Sequence, residues 1–266
     1  MISLVQLLED IQKSPKALLL AGAPGAGKGT ILRQIDFGDV PIFNLDDTII
    51  ALSKTQGFTL DQKNADVENR SAYMKAMYAA TKDLKDNKVA PAITTGQSFV
   101  LDGTSASYNQ TSKLKAELEE KGYKVAMLYV YTDLERVLKQ NQNRFEKSGG
   151  EDRSLMPGAV FRTWNDVTKQ YFPYKELFGA NFVSVANTGD EDSLKDVEAI
   201  LKTYISPFKV KDGKLKTEKE LAKSAEQARV VNKEIQDFLD QNKVQDILTN
   251  SVTAEEAASR IQAFLS

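Results

Sequence analysis

Short runs that are apolar or nearly so recur along most of the chain, separated by longer stretches of mixed polarity. Glycine, proline or polar residues bound these runs, which lie at 17–20, 41–43, 99–101, 125–130 and 182–185. A short run without polar positions is typical of a strand that is buried on both faces of a parallel sheet. We therefore predict five such strands.

Between the runs, apolar residues recur every three or four positions, as they do on one face of a helix. These helical patterns lie at 2–11, 28–36, 65–86, 112–121, 134–147 and 192–204. Strands that alternate with helices indicate an α/β fold with a parallel sheet. The stretch 44–98 is longer than a plain connection needs, so we expect it to add helices beside the sheet, where a second substrate could bind. We assign its stripe of Tyr73, Met77, Ala80 and Leu84 to core packing.

The pattern changes after Pro207, where the sequence becomes highly charged and strand signals stop. Helical patterns follow at 227–248 and again from Thr253, whose spacing to Glu256 is that of a capping box. We predict a main domain over 1–206 and a charged linker with a helical tail over 207–266. The tail could pack on the main domain, self-associate or bind a partner protein, and the sequence leaves these options open.

The amino-acid composition limits the catalytic mechanisms and metal sites that the protein can have. With 266 residues and 41% hydrophobic residues, the chain can bury a sizeable core. It contains neither cysteine nor histidine, which excludes disulfides, thiolate zinc sites and every imidazole mechanism. Any catalysis must therefore use carboxylates, lysine, arginine, tyrosine, hydroxyl groups or a bound metal.

Charge and hydropathy bear on partners and location. The net charge is -2, which argues against bulk binding of nucleic acid. No apolar run approaches the roughly 18 residues that a membrane helix needs. The first ten residues lack a basic leader and include Glu9 and Asp10, so a secretory signal is not expected. We expect a cytoplasmic protein without a membrane partner.

The sequence ALLLAGAPGAGKGT at 17–30 joins a predicted strand to a predicted helix. Its spacing matches the phosphate-binding loop G-x-x-x-x-G-K through Gly22, Gly27 and Lys28. Glycines let the backbone approach a phosphate, exposed amides surround the anion, and the lysine adds a cation for the β- and γ-phosphates. The predicted nucleotide-binding residues are Gly22, Ala23, Pro24, Gly25, Ala26, Gly27, Lys28, Gly29 and Thr30.

One position of this loop departs from the general pattern. The residue after Lys28, where a serine or threonine usually binds Mg²⁺, is Gly29, and Thr30 follows one place later. The variant GxPGxGKGT resembles the loop of adenylate kinase and other nucleoside-monophosphate kinases, in which water largely holds the metal. That resemblance implies a small-molecule kinase with ATP and Mg²⁺ as cofactors, rather than a GTPase or a motor protein.

Two acidic residues, Asp46 and Asp47, follow the second predicted strand in PIFNLDDTI. The carboxyl ends of parallel strands line the ligand crevice of an open sheet. A carboxylate there can accept the proton of an attacking hydroxyl group, while its neighbour could instead cap the next helix. We predict that at least one of the two is catalytic, and the sequence does not decide which.

A third acidic residue, Asp102, ends the third predicted strand in SFVLDGTS. This is the position of a Walker-B carboxylate, which holds a water molecule of the Mg²⁺ shell. Gly103 follows it, where ATP-hydrolysing machines usually have a glutamate, and that class is therefore disfavoured. We predict Asp102 and Thr30 as metal-binding residues and Thr104 as a substrate contact.

A basic stretch at 136–157 contains two further candidates, Arg144 and Arg153, on either side of Gly149 and Gly150. The planar fork of arginine suits the charge that develops on a transferring phosphoryl group. A glycine-containing segment beside such arginines is typical of a lid that excludes water. We predict that 140–157 is a lid and that both arginines are catalytic.

Together these elements resemble the zeta-toxin and polynucleotide-kinase group of P-loop kinases over about residues 16–190. The shared motifs are GAPGAGKGT, NLDDTI, LDGT, NRF and RSLMP. The resemblance implies a three-layer P-loop NTPase fold in which Asp46 or Asp47 is the base and Asp102 begins the D-G-T element. It also implies that Arg144 and Arg153 belong to the lid. Zeta toxins phosphorylate nucleotide-linked amino sugars, and the acceptor of this chain stays open.

We therefore expect an ATP-dependent kinase that acts on a hydroxyl group of a small molecule, with nucleotides and nucleotide-linked sugars among the candidates. Residues 187–189, after the last predicted strand, would then lie beside the adenine. Two alternatives remain. A nucleoside-monophosphate kinase would need no base and could hold its second nucleotide with Arg70. A non-catalytic nucleotide-binding scaffold would act through the helical tail.

Overall fold

A sheet of five parallel strands forms the centre of the protein. The structure is a computed structural model, and it describes residues 14–188, 219 and 243–266. The strands are β1 (Lys16–Ala21), β2 (Ile42–Asn44), β3 (Phe99–Asp102), β4 (Lys124–Tyr131) and β5 (Phe182–Ala186), in the order β2-β3-β1-β4-β5. The predicted fold class is confirmed, and each predicted strand matches the observed one to within one residue at either end.

Both faces of the sheet are covered, as its continuous apolar strands require. On β1, the side chains of Ala17, Leu19 and Ala21 belong to the core cluster on one face. Those of Leu18 and Leu20 belong to the cluster on the other face. Since β1 pairs with both β3 and β4, the loop that follows it emerges at the middle of the carboxyl edge of the sheet.

Helices connect the strands and cover both faces. They are α1 (Lys28–Leu32), α2 (Leu45–Gln56), α3 (Val67–Asp83), α4 (Ala90–Thr95), α5 (Tyr108–Glu120), α6 (Leu134–Lys147), α7 (Pro157–Lys169), α8 (Tyr171–Phe178), α9 (Lys243–Asn250) and α10 (Ala254–Leu265). A π-helix (Leu84–Val89) joins α3 to α4, and a 3-10 turn (Gly179–Asn181) follows α8. None of the helices in the described ranges combines the length and the apolarity that crossing a membrane demands.

Some helix boundaries differ from the sequence prediction. The predicted helix 134–147 is found with the same bounds, whereas the one at 28–36 ends at Leu32. The helix predicted from 112 begins at Tyr108, because the side chain of Ser107 accepts a hydrogen bond from the backbone of Gln110 and caps it. Helices α7 and α8 were not predicted. Pro173 suggests a break in α8, but it lies in the first turn, where a helix tolerates proline. The predicted helices 2–11 and 192–204 lie outside the described residues.

The chain between β2 and β3 forms α2, α3, the π-helix and α4. We call this stretch the insertion (residues 45–98). Its own buried cluster comprises Ile49, Phe58, Leu60, Tyr73, Ala76 and Ala80. Phe145 of α6 and Leu155 pack against this cluster, so the insertion faces the segment that contains the predicted lid arginines.

The two C-terminal helices pack on the main domain. Ile247 of α9 is buried against one face of the sheet, and Ile261 of α10 is buried against the other beside Ile31 of α1. Between them, the backbone N–H of Val252 donates to the carbonyl of Ser184 in β5 at 2.8 Å. At the start of α10, Thr253 accepts a hydrogen bond from the backbone of Glu256, as its capping sequence predicts. These helices are thus part of the core. Apart from Lys219, residues 207–242, which include most of the helix predicted at 227–248, lie outside the described residues.

Candidate active site

The loop between β1 and α1 has a backbone that depends on its glycines. Gly22, Gly25 and Gly27 have φ angles of 151°, 89° and 93°, a region that residues with side chains rarely adopt. A Cβ atom at Gly22 would lie 2.8 Å from the carbonyl oxygen of Val130, and one at Gly25 would lie 3.0 Å from that of Val137. The positive φ angles and the lack of room for a Cβ atom therefore both require glycine at positions 22 and 25.

The side chain of Lys28 folds back over this loop. Its Nζ donates to the carbonyl oxygen of Gly22 at 2.9 Å and lies 3.4 Å from that of Ala23. Burial lowers the pKa of Lys28, while the negative charges of Asp102 and Asp46 oppose that shift. The amine thus lies in a partly desolvated place, within electrostatic reach of two of the predicted acidic residues.

Helix α1 begins directly after the loop, at Lys28. Because this helix is short, a phosphate bound here would be held mainly by backbone amides of the loop and of the first helical residues. Gly29 is exposed, and a Cβ atom there would meet only the Nη1 of Arg33, at 3.7 Å. Thr30 is also exposed, and its hydroxyl group accepts a hydrogen bond from Arg33 at 3.1 Å.

Asn187, which directly follows β5, connects the glycine-rich loop to β4. Its Nδ2 donates to the carbonyl oxygen of Ala26 at 2.8 Å, and its backbone N–H donates to the carbonyl of Tyr131 at 2.8 Å. The residue that we expected beside the adenine thus contacts the phosphate-binding loop directly. Gly189, the last residue of that predicted stretch, lies outside the described residues.

Asn44 connects two of the predicted acidic residues. Its Oδ1 accepts a hydrogen bond from the backbone N–H of Asp46 at 2.7 Å and so caps α2, while its Nδ2 donates to Oδ2 of Asp102 at 3.1 Å. Burial raises the pKa of Asp102, and the positive charge of Lys28 opposes that shift. One amide side chain therefore holds both carboxyl-bearing residues at the carboxyl edge of the sheet.

Asp46 and Asp47 have different surroundings. The side chain of Asp46 is 18% exposed and forms ion pairs with Arg144 and Arg153. Asp47 is exposed in the first turn of α2 and has no ion-pair partner in the part of the chain that the structure describes. The fold thus brings Asp46 to the two predicted lid arginines and leaves Asp47 on the solvent side of the turn.

The two arginines differ in how they are held. Nη2 of Arg153 lies 2.5 Å from Oδ1 of Asp46, and its Nη1 donates to the hydroxyl oxygen of Tyr73 at 2.6 Å. Arg144 donates through Nε and Nη2 to both carboxylate oxygens of Asp152, each at 2.9 Å. Its Nη2 lies farther from Asp46, at 3.5 Å from Oδ2.

Every residue of the segment around Arg153 forms a hydrogen bond to a residue elsewhere in the chain. We call residues 152–155 the arginine segment. Each side chain or backbone in it bonds to a partner elsewhere: Asp152 to Arg144, Arg153 to Tyr73, Ser154 to Asp61 and Leu155 to Asn141. Ser154 is 2% exposed, and two backbone hydrogen bonds join it to Leu60 and Gln62. The arginine segment is thus bound to both α6 and the insertion.

The D-G-T element meets the phosphate-binding loop through its backbone. The carbonyl oxygen of Thr104 accepts a hydrogen bond from the N–H of Gly22 at 3.2 Å. The next residue, Ser105, has a φ angle of 48°, and its hydroxyl group donates to the carbonyl of Leu20 at 2.7 Å. The role of Thr104 towards a substrate stays a prediction.

Sequence reasoning missed three polar residues of this site: Asn44, Tyr73 and Asp152. Asn44 could have been found, because an asparagine directly before a helix is a common N-cap. Tyr73 was assigned to the core, and its ring is indeed buried. No local pattern indicates that its hydroxyl group reaches Arg153, since 80 positions separate the two residues.

A glycine-rich loop after the central strand of a parallel sheet, with carboxylates at the ends of neighbouring strands, defines the class: the protein has a P-loop kinase-like fold. The sequence profile of the zeta toxin family matches residues 5–170, which is more than half of the chain. The chain therefore belongs to the zeta toxin family, as the motifs predicted. No curated protein sequence matches it closely.

Solved structures share the fold at low sequence identity. The AvrRxo1-ORF1:-ORF2 structure with ATP has a TM-score of 0.52 and 13% identity, over 97% of this chain and 83% of that chain. The same complex with sulphate ions has a TM-score of 0.51 and 13% identity, over 96% and 82%. A protein of the PezAT toxin-antitoxin system of Streptococcus pneumoniae has a TM-score of 0.45 and 20% identity, over 84% and 88%. For the two AvrRxo1 structures, the likeness at this identity concerns the fold alone.

Proposed function

We propose that the protein is an ATP-dependent kinase that transfers the γ-phosphoryl group of ATP to a hydroxyl group of a small molecule. The observation that carries this proposal is the setting of Asp46. Its carboxylate lies at the carboxyl edge of the sheet, with Arg153 and Arg144 against it, and Asn44 connects its helix to Asp102. Membership of the zeta toxin family supports the same reaction class.

Residues 22–30 would hold the triphosphate, with Lys28 next to the β- and γ-phosphates. Asp102 would hold Mg²⁺ through water, because Gly29 has no hydroxyl group to offer and Thr30 already bonds to Arg33. Within the described ranges, no group of three or more acidic side chains could hold a metal ion. Mg²⁺ usually takes one or two carboxylates together with water and phosphate oxygens, and Asp102 and the nucleotide would supply that set.

The transfer step needs a base and a positive environment for the moving group. Asp46 would take the proton from the acceptor hydroxyl group as the new O–P bond forms, while the bond from Pγ to the bridging oxygen breaks and ADP leaves. Arg153 and Arg144 would bind the oxygens of the transferring group. A γ-phosphate would offer both arginines a second anion, which would release the carboxylate of Asp46 to act as the base.

The proposal is tested with labelled ATP, Mg²⁺ and a panel of nucleosides, nucleotides, sugars and nucleotide-linked sugars. Once an acceptor is found, Asp46→Asn should lower kcat by about 10²- to 10⁴-fold, the usual contribution of a general base. Asp47→Asn is the matched control. It makes the same chemical change at the exposed neighbouring position and should stay near the wild-type kcat. Calorimetry should show that both variants still bind ATP.

Two results would contradict the proposal. One is a wild-type protein that binds ATP but phosphorylates no acceptor of the panel, which would favour the scaffold alternative. The other is an Asp46→Asn variant with full activity, since transfer to a phosphate acceptor needs no base. In that second case, a bisubstrate inhibitor made of two nucleosides joined by several phosphates should bind tightly, as expected for a nucleoside-monophosphate kinase.

A further inference from the structure

The guanidinium group of Arg153 is held by two unlike partners. Nη2 pairs with the carboxylate of Asp46, and Nη1 donates to the hydroxyl group of Tyr73. The side chain is 11% exposed, and its Nε is buried with no partner among the residues that the structure describes. Two contacts at the two ends of the planar group thus set its orientation. If either were lost, the plane could rotate about the remaining one.

Tyr73 is itself fixed by packing. It is 5% exposed in α3, its ring lies edge-on against Phe58 at 6.1 Å between centroids, and Ile49 and Ala76 belong to the same cluster. A buried aromatic ring with two side-chain torsions has little freedom to move. The hydroxyl group is therefore a stationary acceptor that the insertion presents to the arginine segment.

The partner that Tyr73 offers is also electrically neutral. Burial raises the pKa of Tyr73, although the nearby charge of Arg153 opposes that shift, so the phenol keeps its proton at neutral pH. An ion pair would offset the positive charge of the arginine, whereas a neutral oxygen leaves it available. Arg144 shows the contrast, because both oxygens of the Asp152 carboxylate hold it.

The difference between the neutral partner Tyr73 and the charged partner Asp46 matters during the proposed reaction. Asp46 can act as the base only after its ion pair with Arg153 opens, and from then on it no longer orients that arginine. The hydroxyl group of Tyr73 does not take part in proton transfer and can stay in place throughout. It would hold the guanidinium group close to the reacting atoms while the carboxylate changes partners.

We propose that Tyr73 is a positioning residue that aims Arg153 at the transferring phosphoryl group. This inference rests on the proposed kinase function and deepens it by assigning the insertion a part in catalysis. Tyr73 acts through Arg153 and need not contact a substrate. The removal of its hydroxyl group should therefore matter only while Arg153 is present.

The test compares Tyr73→Phe with Tyr78→Phe, a matched control on the same helix whose side chain is 77% exposed. The ring and its packing are kept in both variants, and urea unfolding should confirm that both fold. Tyr73→Phe should lower kcat roughly tenfold to a hundredfold, the scale of a displaced catalytic group, with little change in KM for ATP. In an Arg153→Ala background, the same substitution should have no further effect. NMR of the Nε–Hε group of Arg153 should show faster motion in Tyr73→Phe than in the wild type.

Each outcome has one meaning. An unchanged kcat in Tyr73→Phe, or an equal loss of activity in the presence and absence of Arg153, overturns the positioning role. An unchanged NMR signal of Arg153 overturns it as well, and this measurement does not depend on catalysis. If the wild-type protein phosphorylates nothing, the kinase function has failed, and the NMR comparison still decides whether Tyr73 holds Arg153.

Discussion

Arg153 and Asp46 hold each other, with Nη2 of the arginine 2.5 Å from Oδ1 of the aspartate. Burial opposes the charge on Arg153, but Asp46 and Tyr73 together raise its pKa above the ordinary value, so the side chain stays positive. The residue to which we assign the role of base is thus paired with the residue to which we assign charge stabilisation. In the proposed reaction, an incoming γ-phosphate would have to compete for the arginine before the carboxylate became available.

We expect Arg153 to contribute more to catalysis than Arg144. Arg153→Ala should lower kcat by about 10³-fold or more, the scale of arginines that stabilise transferring phosphoryl groups. Arg144→Ala should cost less, since Asp152 already offsets the charge of that side chain. Steady-state kinetics with saturating ATP measure both effects, and Arg162→Ala, at an exposed position of α7, is the control. A larger loss in Arg144→Ala than in Arg153→Ala would show that the ranking is wrong.

Alanine at Gly27 should weaken ATP binding, whereas alanine at Gly29 should be tolerated. At Gly27 the φ angle is 93°, and the new Cβ atom would overlap Nδ2 of Asn187. The left-handed backbone by itself costs about 1–2 kcal/mol for a residue with a side chain. At Gly29 a Cβ atom would make only an ordinary van der Waals contact, 3.7 Å from Nη1 of Arg33. Calorimetry with ATP compares the two variants, and equal affinities would contradict the role assigned to the loop.

ATP affinity should fall as the pH rises through the pKa of Lys28. Burial lowers that pKa from the ordinary 10.5, so the folded protein holds the proton less tightly than the unfolded chain does. Below the lowered pKa, the buried positive charge of Lys28 reduces the free energy of unfolding. This reduction disappears as the pH rises from the lowered pKa towards 10.5. Phosphates favour the protonated amine, so binding should take up a proton within this window. Titrations at neutral and alkaline pH, in buffers of different ionisation enthalpy, measure both effects.

The control for this prediction is Lys28→Arg. Arginine stays charged throughout the range, so any ATP affinity that the variant retains should not change between neutral and alkaline pH. If the wild type showed the same flat profile, the titration of Lys28 would not be linked to nucleotide binding.

Truncation of Ile261 should destabilise the whole domain. Its side chain is fully buried against α1 and the sheet, and Ile→Ala changes at such sites cost roughly 2–5 kcal/mol of unfolding free energy. Ser259→Ala, at an exposed position of the same helix, should change stability little. Urea unfolding monitored by circular dichroism provides the comparison. If the two variants were equally stable, α10 would not be part of the core.

Much of the fold is visible in the sequence, because strands that are largely buried have few polar positions to obscure the pattern. The unpredicted helices α7 and α8 each contain a proline in the first turn, Pro157 and Pro173, which suggests a break although a helix tolerates proline there. The early end of α1 at Leu32 depends on turn hydrogen bonds from Gln34 and Ile35, which the apolar spacing of that stretch does not reveal.

The candidate active site also has parts that the sequence predicts and parts that it does not. The phosphate-binding loop is a local motif, so the order of its residues in the chain is enough to identify them. The difference between Asp46 and Asp47 could not be predicted, because it arises from the direction in which each side chain leaves the first turn of α2. The contact between Arg153 and Tyr73 joins residues that are distant in the chain, and only the packing of the insertion brings them together.

The attachment of the arginine segment bears on how this region can change in length during evolution. The first and last residues of 152–155 bond to partners on α6, and the two residues between them bond to partners on the insertion. Deleting one residue within the arginine segment would shift every later residue by one position, so that each would face the bonding partner of its neighbour. Insertions and deletions should therefore accumulate in the turn at 149–151, which precedes the segment, while 152–155 keeps a constant length among descendants of the same ancestor.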